Sequence, residues 1–475
     1  MAKMEWDRLL SPERERQSTT PEIPFRNAFD KDYERVISSS SVRRLQDKAQ
    51  VFPLQENDFT RTRLTHSLEV SSIGRSLGKR VGFHLKESGA MKNTQDEELA
   101  SLLAVAGLVH DLGNPPFGHY GEDIIKDWFE INLKSFGAAE WVKDYLYFDG
   151  NAQTIRILSR LQFLQDRHGM NFSYGTLGTL IKYPWESTTE KAKESGKTGY
   201  FISEKDLADK IFAATGMRDE SGTVRRHPAT YLLEAADDIA YLFADLEDTA
   251  KKGYLPWDGP EGAKEKILSF TDEIKVFSEL RKRLANTAKS NTDNKIPFEE
   301  RILNEVMTFR VFCQGICIEQ VCDEFITNYD SIMDGTYNNT LSNGKCSNAL
   351  LDGVSTEKMI SAIREICIEY AYRNNEVLSL ELIAKSVLTS LLDKFISAVS
   401  DEKNYSKPKH ENGKLYRLIS TNFKYVQHLD KKSKFNEKKV LSEHERVQLV
   451  IDYISCMTDS YALNLHKTLL GMKLP

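Results

Sequence analysis

The stretch from Leu99 to Glu122 constrains the fold most strongly. It reads LASLLAVAGLVHDLGNPPFGHYGE, and an almost wholly apolar run is followed, without a polar transition, by His110 and Asp111. A helix that is apolar around its whole circumference is typically buried on all sides. The sequence therefore predicts a central buried helix over 99–109 that brings an imidazole and a carboxylate into the interior.

A carboxylate in the interior needs a partner, because an isolated ionised carboxylate is very costly outside water. Gly113 is a candidate left-handed cap, and Pro115 and Pro116 cannot continue the helix, so His110 and Asp111 are expected in its last turn. A divalent cation would neutralise the carboxylate and bind the neutral imidazole. A His–Asp hydrogen bond that only fixes the turn would satisfy the same groups. The pair alone leaves both interpretations open.

A second helix, predicted after Pro228, combines burial with acidic residues. The segment ATYLLEAADDIAYLFADLEDTA is apolar over most of its circumference. Asp237, Tyr241 and Asp245 follow one another at i, i+4 steps and so lie along one stripe. Carboxylates on a buried stripe without Lys or Arg repel each other unless a cation lies against them. The stripe predicts either a metal site or a salt bridge to a distant arginine.

Two further histidines stand one helical turn from a charged residue. Arg63 and His66 follow Thr62, a candidate helix cap, and their spacing suits a metal ligand beside an anion-binding guanidinium. His119 and Glu122 are also three residues apart, so the carboxylate can orient the imidazole for proton transfer. The ordinary alternatives are a satisfied core or surface histidine for His66 and an exposed one for His119.

The composition narrows the class of protein. The chain has 475 residues, of which 40% are hydrophobic, and its formal net charge of -6 disfavours a binder that relies on a global positive field. The six cysteines include no CxxC pair, which is typical of reduced interior thiols. The N-terminus lacks an apolar signal core, and no run of about 18 apolar residues occurs. We therefore expect a cytoplasmic protein without membrane partners.

Helical patterns dominate the rest of the chain and are interrupted by polar segments. Thr94 and Glu97 are predicted to form a capping box at the start of the central helix, and Asn151 is predicted to cap a helix after FDG. The stretch 186–198 has no hydrophobic period, which predicts a mobile loop, and 334–347 is turn-rich, which predicts a loop or small hairpin. Further helical patterns cover 264–287, 297–329, 356–370 and 379–399.

Taken in order, the candidates are a histidine after an arginine (His66), an adjacent His-Asp pair (His110 and Asp111) and a later Asp on a buried helix (Asp237). This pattern resembles the HD superfamily of metal-dependent phosphohydrolases, and more closely its deoxyguanosine triphosphate triphosphohydrolase (dGTPase) branch. The resemblance implies an all-α HD-domain fold with additional helices and a few short β-hairpins. The matching blocks span most of the chain and read RRLQDKAQVFP, TRLTHSLEV, HDLGNPPFGHYGE, FDGNAQT, KYPW, YLLEAADDIAYLFADLED and RVQLVIDYISCMTDSYA.

The same resemblance implies an activity. Family members hydrolyse a deoxynucleoside triphosphate at the α-phosphorus and release the deoxynucleoside and intact tripolyphosphate. By motif position, His119 and Glu122 match the catalytic His-Glu pair. A divalent metal ion, Mn, Mg, Fe or Co, would be held by His66, His110, Asp111 and Asp237.

Substrate contacts are implied in the same way. Val51 would line the base pocket, but this residue alone does not decide between an enzyme for dGTP and one for all dNTPs. A close grip on the sugar 3'-hydroxyl would leave no room for a 2'-hydroxyl and so exclude ribonucleotides. The implied contacts are Gln50 and Asp245 to the 3'-hydroxyl, Tyr241 within the sugar-binding stripe, and Arg63, Lys182 and Tyr183 to phosphate or sugar.

The domain organisation expected from these blocks has three parts. Residues 1–24 form an irregular arm, 25–255 an HD-type catalytic core, and 256–475 a helical region that packs on the core and completes the nucleotide pocket. The resemblance also implies a homo-oligomer and a nucleotide or single-stranded DNA effector. Two alternatives stay open, namely another HD-type phosphohydrolase, such as a 5'-nucleotidase or phosphodiesterase, and a nucleotide-sensing module with a structural metal.

Overall fold

The computed structural model of the protein is all-α, as predicted. It describes residues 3–17, 25–52, 54, 60–162, 166–270, 277–340, 346–400, 407, 409–430, 432–436 and 438–472. Within these residues, the β-structure is one short antiparallel hairpin, in which β1 (Asn339–Thr340) pairs with β2 (Cys346–Ser347). It lies in the turn-rich stretch for which the sequence predicts a loop or small hairpin. Among the described residues, no helix combines the length and the apolar character needed to cross a bilayer.

Twenty-two α-helices follow one another in the described part of the chain. Two π-helical turns, Ile157–Leu161 and Ile368–Tyr372, directly extend α8 and α17. The helices are α1 Trp6–Leu9, α2 Ala28–Ile37, α3 Ser40–Arg44, α4 Arg63–Glu87, α5 Gln95–Val109, α6 Gly118–Ile131, α7 Lys143–Leu146, α8 Gly150–Arg156, α9 Tyr174–Leu180, α10 Glu190–Ser195, α11 Lys205–Thr215, α12 Pro228–Lys251, α13 Ala263–Ser269, α14 Phe277–Asp293, α15 Phe298–Thr327, α16 Tyr329–Asp334, α17 Glu357–Cys367, α18 Asn375–Val399, α19 Glu411–Leu418, α20 Thr421–Gln427, α21 Glu443–Ser455 and α22 Asp459–Leu469.

The core is built around the antiparallel pair α4 and α5. Every residue from Leu99 to Val109 is buried, which confirms the predicted central helix. The two backbones approach closely because glycines line their contact. A Cβ on Gly78 would lie 2.7 Å from the Cα of Ala100, and one on Gly107 would lie 2.8 Å from the Cα of Ser71. Helix α12 packs against this pair and also against α15 and α17, so its acidic stripe reaches the end of α5.

The end of α5 differs from the prediction. The helix ends one residue before His110, and Gly113 does not adopt a left-handed conformation. The left-handed residues are Phe117 and Gly118, with φ of 65° and 62°, and they lead into α6. Gly113 is instead required by a close approach to α8, because a Cβ there would lie 2.1 Å from the carbonyl oxygen of Gly150.

We expect Gly113→Ala to destabilise the fold by roughly 1–3 kcal/mol, the usual range for forcing an extra methyl into a packed core. The new methyl would also lie 2.3 Å from the backbone nitrogen of Thr154. Denaturant unfolding measures this change in the free energy of unfolding. The matched control is Gly315→Ala in α15, where a Cβ meets no atom within 4 Å and a stabilisation of about 0.5–1 kcal/mol is expected. Equal effects of both substitutions would contradict the close approach at Gly113.

Thr94 directly precedes α5, as predicted, but it forms no capping box, and the predicted cap Asn151 is wrong. Thr94 has φ -101° and ψ 9° rather than the extended backbone of a capping residue, and its hydroxyl donates to Glu98 instead of accepting from the helix. Helix α8 is capped by Asp149, whose carboxylate accepts from the backbone nitrogen of Asn151. The helix therefore begins earlier than predicted, and Asn151 lies within its first turn.

The polar stretch 186–198 is not the mobile loop that its composition predicts. It contains α10, which is capped by Thr189 and ends at the left-handed Gly196. The indole nitrogen of Trp185 donates to the carbonyl of Lys197 and closes the segment onto the body of the protein. The predicted helix 264–287 is also divided into α13 and α14, with 271–276 outside the described residues.

Other parts of the chain lie close to the core. In the predicted arm, Trp6 and Leu9 are buried, and the indole nitrogen of Trp6 donates to the hydroxyl of Tyr329 at 3.0 Å. The domain boundaries stay a prediction. Five cysteines are free and buried, in agreement with reduced interior thiols, and they are Cys313, Cys317, Cys322, Cys367 and Cys456.

Candidate active site

A cavity of 590 Å³ lies where α4, the α5–α6 connection, α12 and residues 372–384 meet. Its size suits a small-molecule ligand, since such sites usually measure about 300–1,000 Å³. Every side chain to which the sequence gives a site role lines this cavity, although the individual roles stay predictions. These residues are Gln50, Val51, Arg63, His66, His110, Asp111, His119, Glu122, Lys182, Tyr183, Asp237, Tyr241 and Asp245.

The predicted metal ligands form a compact cluster. Oδ1 of Asp237 lies 2.9 Å from Nε2 of His66 and 3.5 Å from Nε2 of His110. Asp111 lies 4.0 Å from the first imidazole nitrogen and 3.5 Å from the second. The ligand atoms of His66, His110 and Asp111 all lie within 4.8 Å of one another. Of the two adjacent aspartates Asp237 and Asp238, the resemblance implies Asp237 as the ligand, and Asp237 is the one that faces both imidazoles.

The imidazole of His110 is oriented for coordination. Its Nδ1 lies 2.8 Å from the carbonyl oxygen of Gly107, an acceptor, so this nitrogen carries the proton. Nε2 faces the cluster, 3.5 Å from a carboxylate oxygen of Asp111 and of Asp237, and would supply its lone pair to a bound cation. A metal-binding histidine is commonly held by a backbone carbonyl on its other nitrogen in this way.

Charge in the cluster is balanced from several sides. The Arg63 guanidinium donates to Oδ2 of Asp111 at 2.5 Å, and the amide of Asn114 donates to Oδ1 at 2.6 Å. Burial raises the pKa of Asp111, but Arg63 and His110 outweigh it and hold that pKa well below its usual range. Burial lowers the pKa of His110 while Asp111 and Asp237 raise it, to about 9 on balance. Arg63 thus pairs with a predicted ligand, and its predicted contact to phosphate or sugar stays a prediction.

The cluster fits a divalent cation. In an octahedral site with bonds of roughly 2.1 Å, adjacent ligand atoms lie about 3.0 Å apart and opposite ones about 4.2 Å apart. The observed separations between imidazole nitrogens and carboxylate oxygens run from 2.9 to 4.0 Å. Two imidazoles and two carboxylates are also a donor set that Mn, Mg, Fe and Co accept.

Comparison with known proteins agrees with this geometry. The model of the HD domain matches residues 63–170, and that of the phosphohydrolase-associated domain matches residues 354–468. A deoxyguanosinetriphosphate triphosphohydrolase-like protein of Listeria monocytogenes is 37% identical over 490 residues, covering 99% of this chain and 100% of the relative. A protein of the same description from Synechocystis is 32% identical over 488 residues, covering 99% and 100%. The deoxyguanosinetriphosphate triphosphohydrolase of Salmonella enteritidis is 29% identical over 532 residues, covering 99% and 98%.

The chain belongs to the HD-domain deoxyguanosinetriphosphate triphosphohydrolase family. It is therefore an HD-type phosphohydrolase, and His66, His110 and Asp111 are its candidate ligands for the divalent metal typical of HD domains. All three lie inside the matched segment 63–170 together with the predicted catalytic pair.

That pair, His119 and Glu122, differs from the prediction in one respect. Both line the cavity, but His119 is exposed, Glu122 is buried, and no hydrogen bond joins these two described side chains. Glu122 instead accepts from the backbone nitrogen of Gly150 at 2.9 Å and lies 3.5 Å from Nζ of Lys197. The lysine also pairs with Asp149 at 3.1 Å. Burial and Asp149 raise the pKa of Glu122 against the attraction of the nearby cations.

Gln50 and Asp245 make another part of the cavity wall polar, and not all of its hydrogen-bonding groups have partners. Oε1 of Gln50 is buried and has no hydrogen-bond partner. Asp245 accepts a hydrogen bond from the hydroxyl of Tyr372. Burial raises the pKa of Asp245 to about 7, although that hydrogen bond opposes the change. These groups offer both donors and acceptors to a sugar hydroxyl.

Lys182 and Tyr183 line the cavity beside a buried ion pair. Nζ of Lys182 lies 2.9 Å from the carboxylate of Glu234, which also binds Arg226. The ammonium also lies 5.7 Å from the centre of the Tyr183 ring. Lys182 is therefore paired with Glu234 while it lines the cavity, and its predicted contact to phosphate or sugar stays a prediction.

Several cavity residues were missed by sequence reasoning. Asp149 and Asn151 stand in the FDGNAQT block, so that motif was a usable signal. Lys197 lies in a polar stretch with no periodicity, and nothing in its surroundings distinguishes it from other surface lysines. The residues that the C-terminal half adds to the wall carry no motif either, and they are Tyr372, Val377, Leu380, Glu381 and Ala384.

Proposed function

We propose that the protein hydrolyses dGTP at the α-phosphorus. The base pocket would determine how efficiently it also hydrolyses other deoxynucleoside triphosphates. The products are the deoxynucleoside and intact tripolyphosphate. The observation that supports this most strongly is the convergence of metal-ligand, proton-transfer, phosphate and sugar candidates on one 590 Å³ cavity. The printed names of the full-length relatives support the same substrate.

His66, His110, Asp111 and Asp237 would hold the divalent metal. When bound, such an ion stabilises negative charge on phosphate oxygens and orients them. Displacement at phosphorus depends mainly on positioning and electrostatics, which the surrounding side chains supply. The N-terminus of α6, with its positive dipole end, also opens onto the cavity at Gly118 and favours an anion there.

His119 is the group placed to move a proton. Its imidazole is exposed to the cavity, where it can serve the attacking water or the departing sugar oxygen. Glu122 is fixed by Gly150 and Lys197 and acts through its charge on the neighbouring imidazole rather than by a direct hydrogen bond.

We expect GTP to be turned over at least about 100-fold more slowly than dGTP. A 3'-hydroxyl bonded to Gln50 and Asp245 would hold the sugar so close to the wall that a 2'-hydroxyl has no room. Steady-state kcat/KM for the two nucleotides measures this ratio. Gln50→Ala should reduce the ratio of kcat/KM for dGTP to that for GTP. Gln46→Ala, at an exposed position four residues earlier, should leave this ratio unchanged. Equal turnover of GTP and dGTP by the unaltered protein would refute the steric explanation.

The function itself is tested by incubating the Mn-loaded protein with each dNTP, separately and in pairs, and separating the products by chromatography. The expected products are deoxynucleoside and tripolyphosphate, which together require attack at the α-phosphorus. Orthophosphate or pyrophosphate would favour another HD-type phosphohydrolase, such as a 5'-nucleotidase or phosphodiesterase. Binding without turnover would favour a nucleotide-sensing module. Paired incubation also tests the proposed nucleotide effector, and a homo-oligomer stays a prediction for sedimentation analysis.

A further inference from the structure

A second cavity, of 160 Å³, lies beyond the far end of α8 and shares no lining residue with the candidate active site. Its walls are formed by the π-helical turn after α8, the turn at Ser203 and the segment between α20 and α21. The cationic side chains that line it are Arg156, Arg160, Arg167 and Lys439.

Two of these cations are already neutralised. Arg156 donates to both carboxylate oxygens of Asp452 and to Glu204, each at 2.7 Å. Lys439 pairs with Glu445 at 2.7 Å. Each carboxylate that lines the cavity therefore has its own cation.

Arg160 and Arg167 differ from them because neither has a carboxylate partner among the described residues. Nη1 of Arg160 donates to the backbone carbonyl of Arg167 at 3.2 Å, and Nη1 of Arg167 lies 3.4 Å from the carbonyl of Asp430. Neither guanidinium forms an ion pair with any carboxylate in the part of the chain that the structure describes. Burial lowers the pKa of Arg160, the neighbouring Arg167 and Arg156 lower it further, and the attraction of Glu204 and Glu15 does not outweigh them.

A buried imidazole nitrogen adds to this unmet hydrogen-bonding capacity. His444 lines the cavity, and its ring is stacked on Trp141 with centroids 5.3 Å apart. Its Nε2 is buried without a hydrogen bond and lies 3.9 Å from Asp144. Two unpaired guanidiniums and an unsatisfied imidazole thus surround one small cavity.

We propose that this cavity binds a phosphate-bearing anion through Arg160 and Arg167. Guanidinium groups bind phosphate oxygens in pairs and in a fixed plane, which favours phosphate over a compact anion such as chloride. The volume is below the 300–1,000 Å³ usual for whole small-molecule ligands, so the site takes a phosphate group alone. The source is free orthophosphate or the terminal group of a polyphosphate or nucleotide.

The position of the site connects it to the active site. One continuous helical segment runs from Gly150, whose nitrogen binds Glu122, to Arg160 at the second cavity. It passes through a π-helical turn, a feature that often occurs at functional sites. An anion on Arg160 would therefore bind the helical segment that holds Glu122. The inference stands on this cavity alone and does not depend on the proposed function.

Isothermal titration of the full chain in a chelator, with orthophosphate, tripolyphosphate and dGTP as separate probes, tests the proposal. The variants are Arg160→Gln with Arg167→Gln, the single Arg167→Gln, and His110→Ala in the candidate active site. The matched control is Arg75→Gln with Arg417→Gln, two exposed arginines outside this cavity that change the net charge equally. Circular dichroism establishes that each variant is folded.

We expect the affinity for orthophosphate to fall at least about 10-fold in the double variant Arg160→Gln with Arg167→Gln, and by a smaller factor in Arg167→Gln alone. The affinity should stay within about twofold of the unaltered protein in the control and in His110→Ala. Tighter binding of tripolyphosphate or dGTP, lost in the same variants, would identify a polyphosphate or nucleotide as the source. Absence of phosphate binding to the unaltered protein would overturn the proposal. So would binding that is lost in His110→Ala but kept in Arg167→Gln, since the anion would then lie in the active site.

Discussion

Asp237→Asn is expected to lower turnover by at least about 1,000-fold and to remove the bound metal. A metal contributes several kcal/mol of charge stabilisation at phosphorus, and each 1.36 kcal/mol corresponds to a factor of ten in rate. The carboxylate of Asp237 reaches both His66 and His110, so the amide would weaken the cluster at its centre. Metal content by mass spectrometry and single-turnover rates measure the two effects.

The neighbouring Asp238→Asn is the matched control for metal content. Its carboxylate lies 3.8 Å from the guanidinium of Arg364 and does not contact the imidazoles. We expect this variant to keep its metal stoichiometry. Full metal occupancy and an unchanged rate in Asp237→Asn would exclude Asp237 as a ligand, and loss of metal in Asp238→Asn alone would reassign that role.

His119→Ala is expected to lower kcat by about 10² to 10⁴-fold, the usual contribution of general acid-base catalysis. Because His119 is exposed and lies outside the ligand cluster, metal content and the unfolding midpoint should change little. Pre-steady-state rates at saturating dGTP, with metal analysis of the same preparation, measure these quantities.

Asp127→Ala, an exposed change on the same helix, serves as the control and should keep the full rate. Glu122→Gln should lower kcat by a smaller factor than His119→Ala, because an amide oxygen can still accept from Gly150 while the charge near the imidazole is lost. An unchanged kcat in His119→Ala would remove the imidazole from the mechanism.

The burial pattern of the two central helices could be predicted because it depends only on the order of apolar and polar residues within each helix. The all-apolar run of α5 and the acidic stripe of α12 each follow from helical periodicity within one segment. Cap positions were less reliable. Thr94 and Asn151 both have side chains that can cap, and the backbone conformation that decides between candidates depends on the preceding turn.

The charge partners could not be predicted. Arg63 pairs with Asp111 across 48 positions, and Lys182, in the connection after α9, pairs with Glu234 of α12. Lys197 reaches Glu122 from a stretch whose composition resembles a solvated loop. A buried carboxylate requires a cation, but nothing local specifies which of the chain's many basic residues supplies it.

The sequence by itself determined the helical class, the buried central helix, the family and a set of candidate site residues that line one cavity. Helical periodicity and contiguous motifs are local properties, so they can be recognised without knowledge of the fold. The tertiary structure alone decided that Glu122 is held by Gly150 and Lys197, and that Arg160 and Arg167 line a second cavity whose carboxylates pair with other cations. The reason is physical: pairing of buried charges depends on distances between segments far apart in the chain, and packing sets those distances.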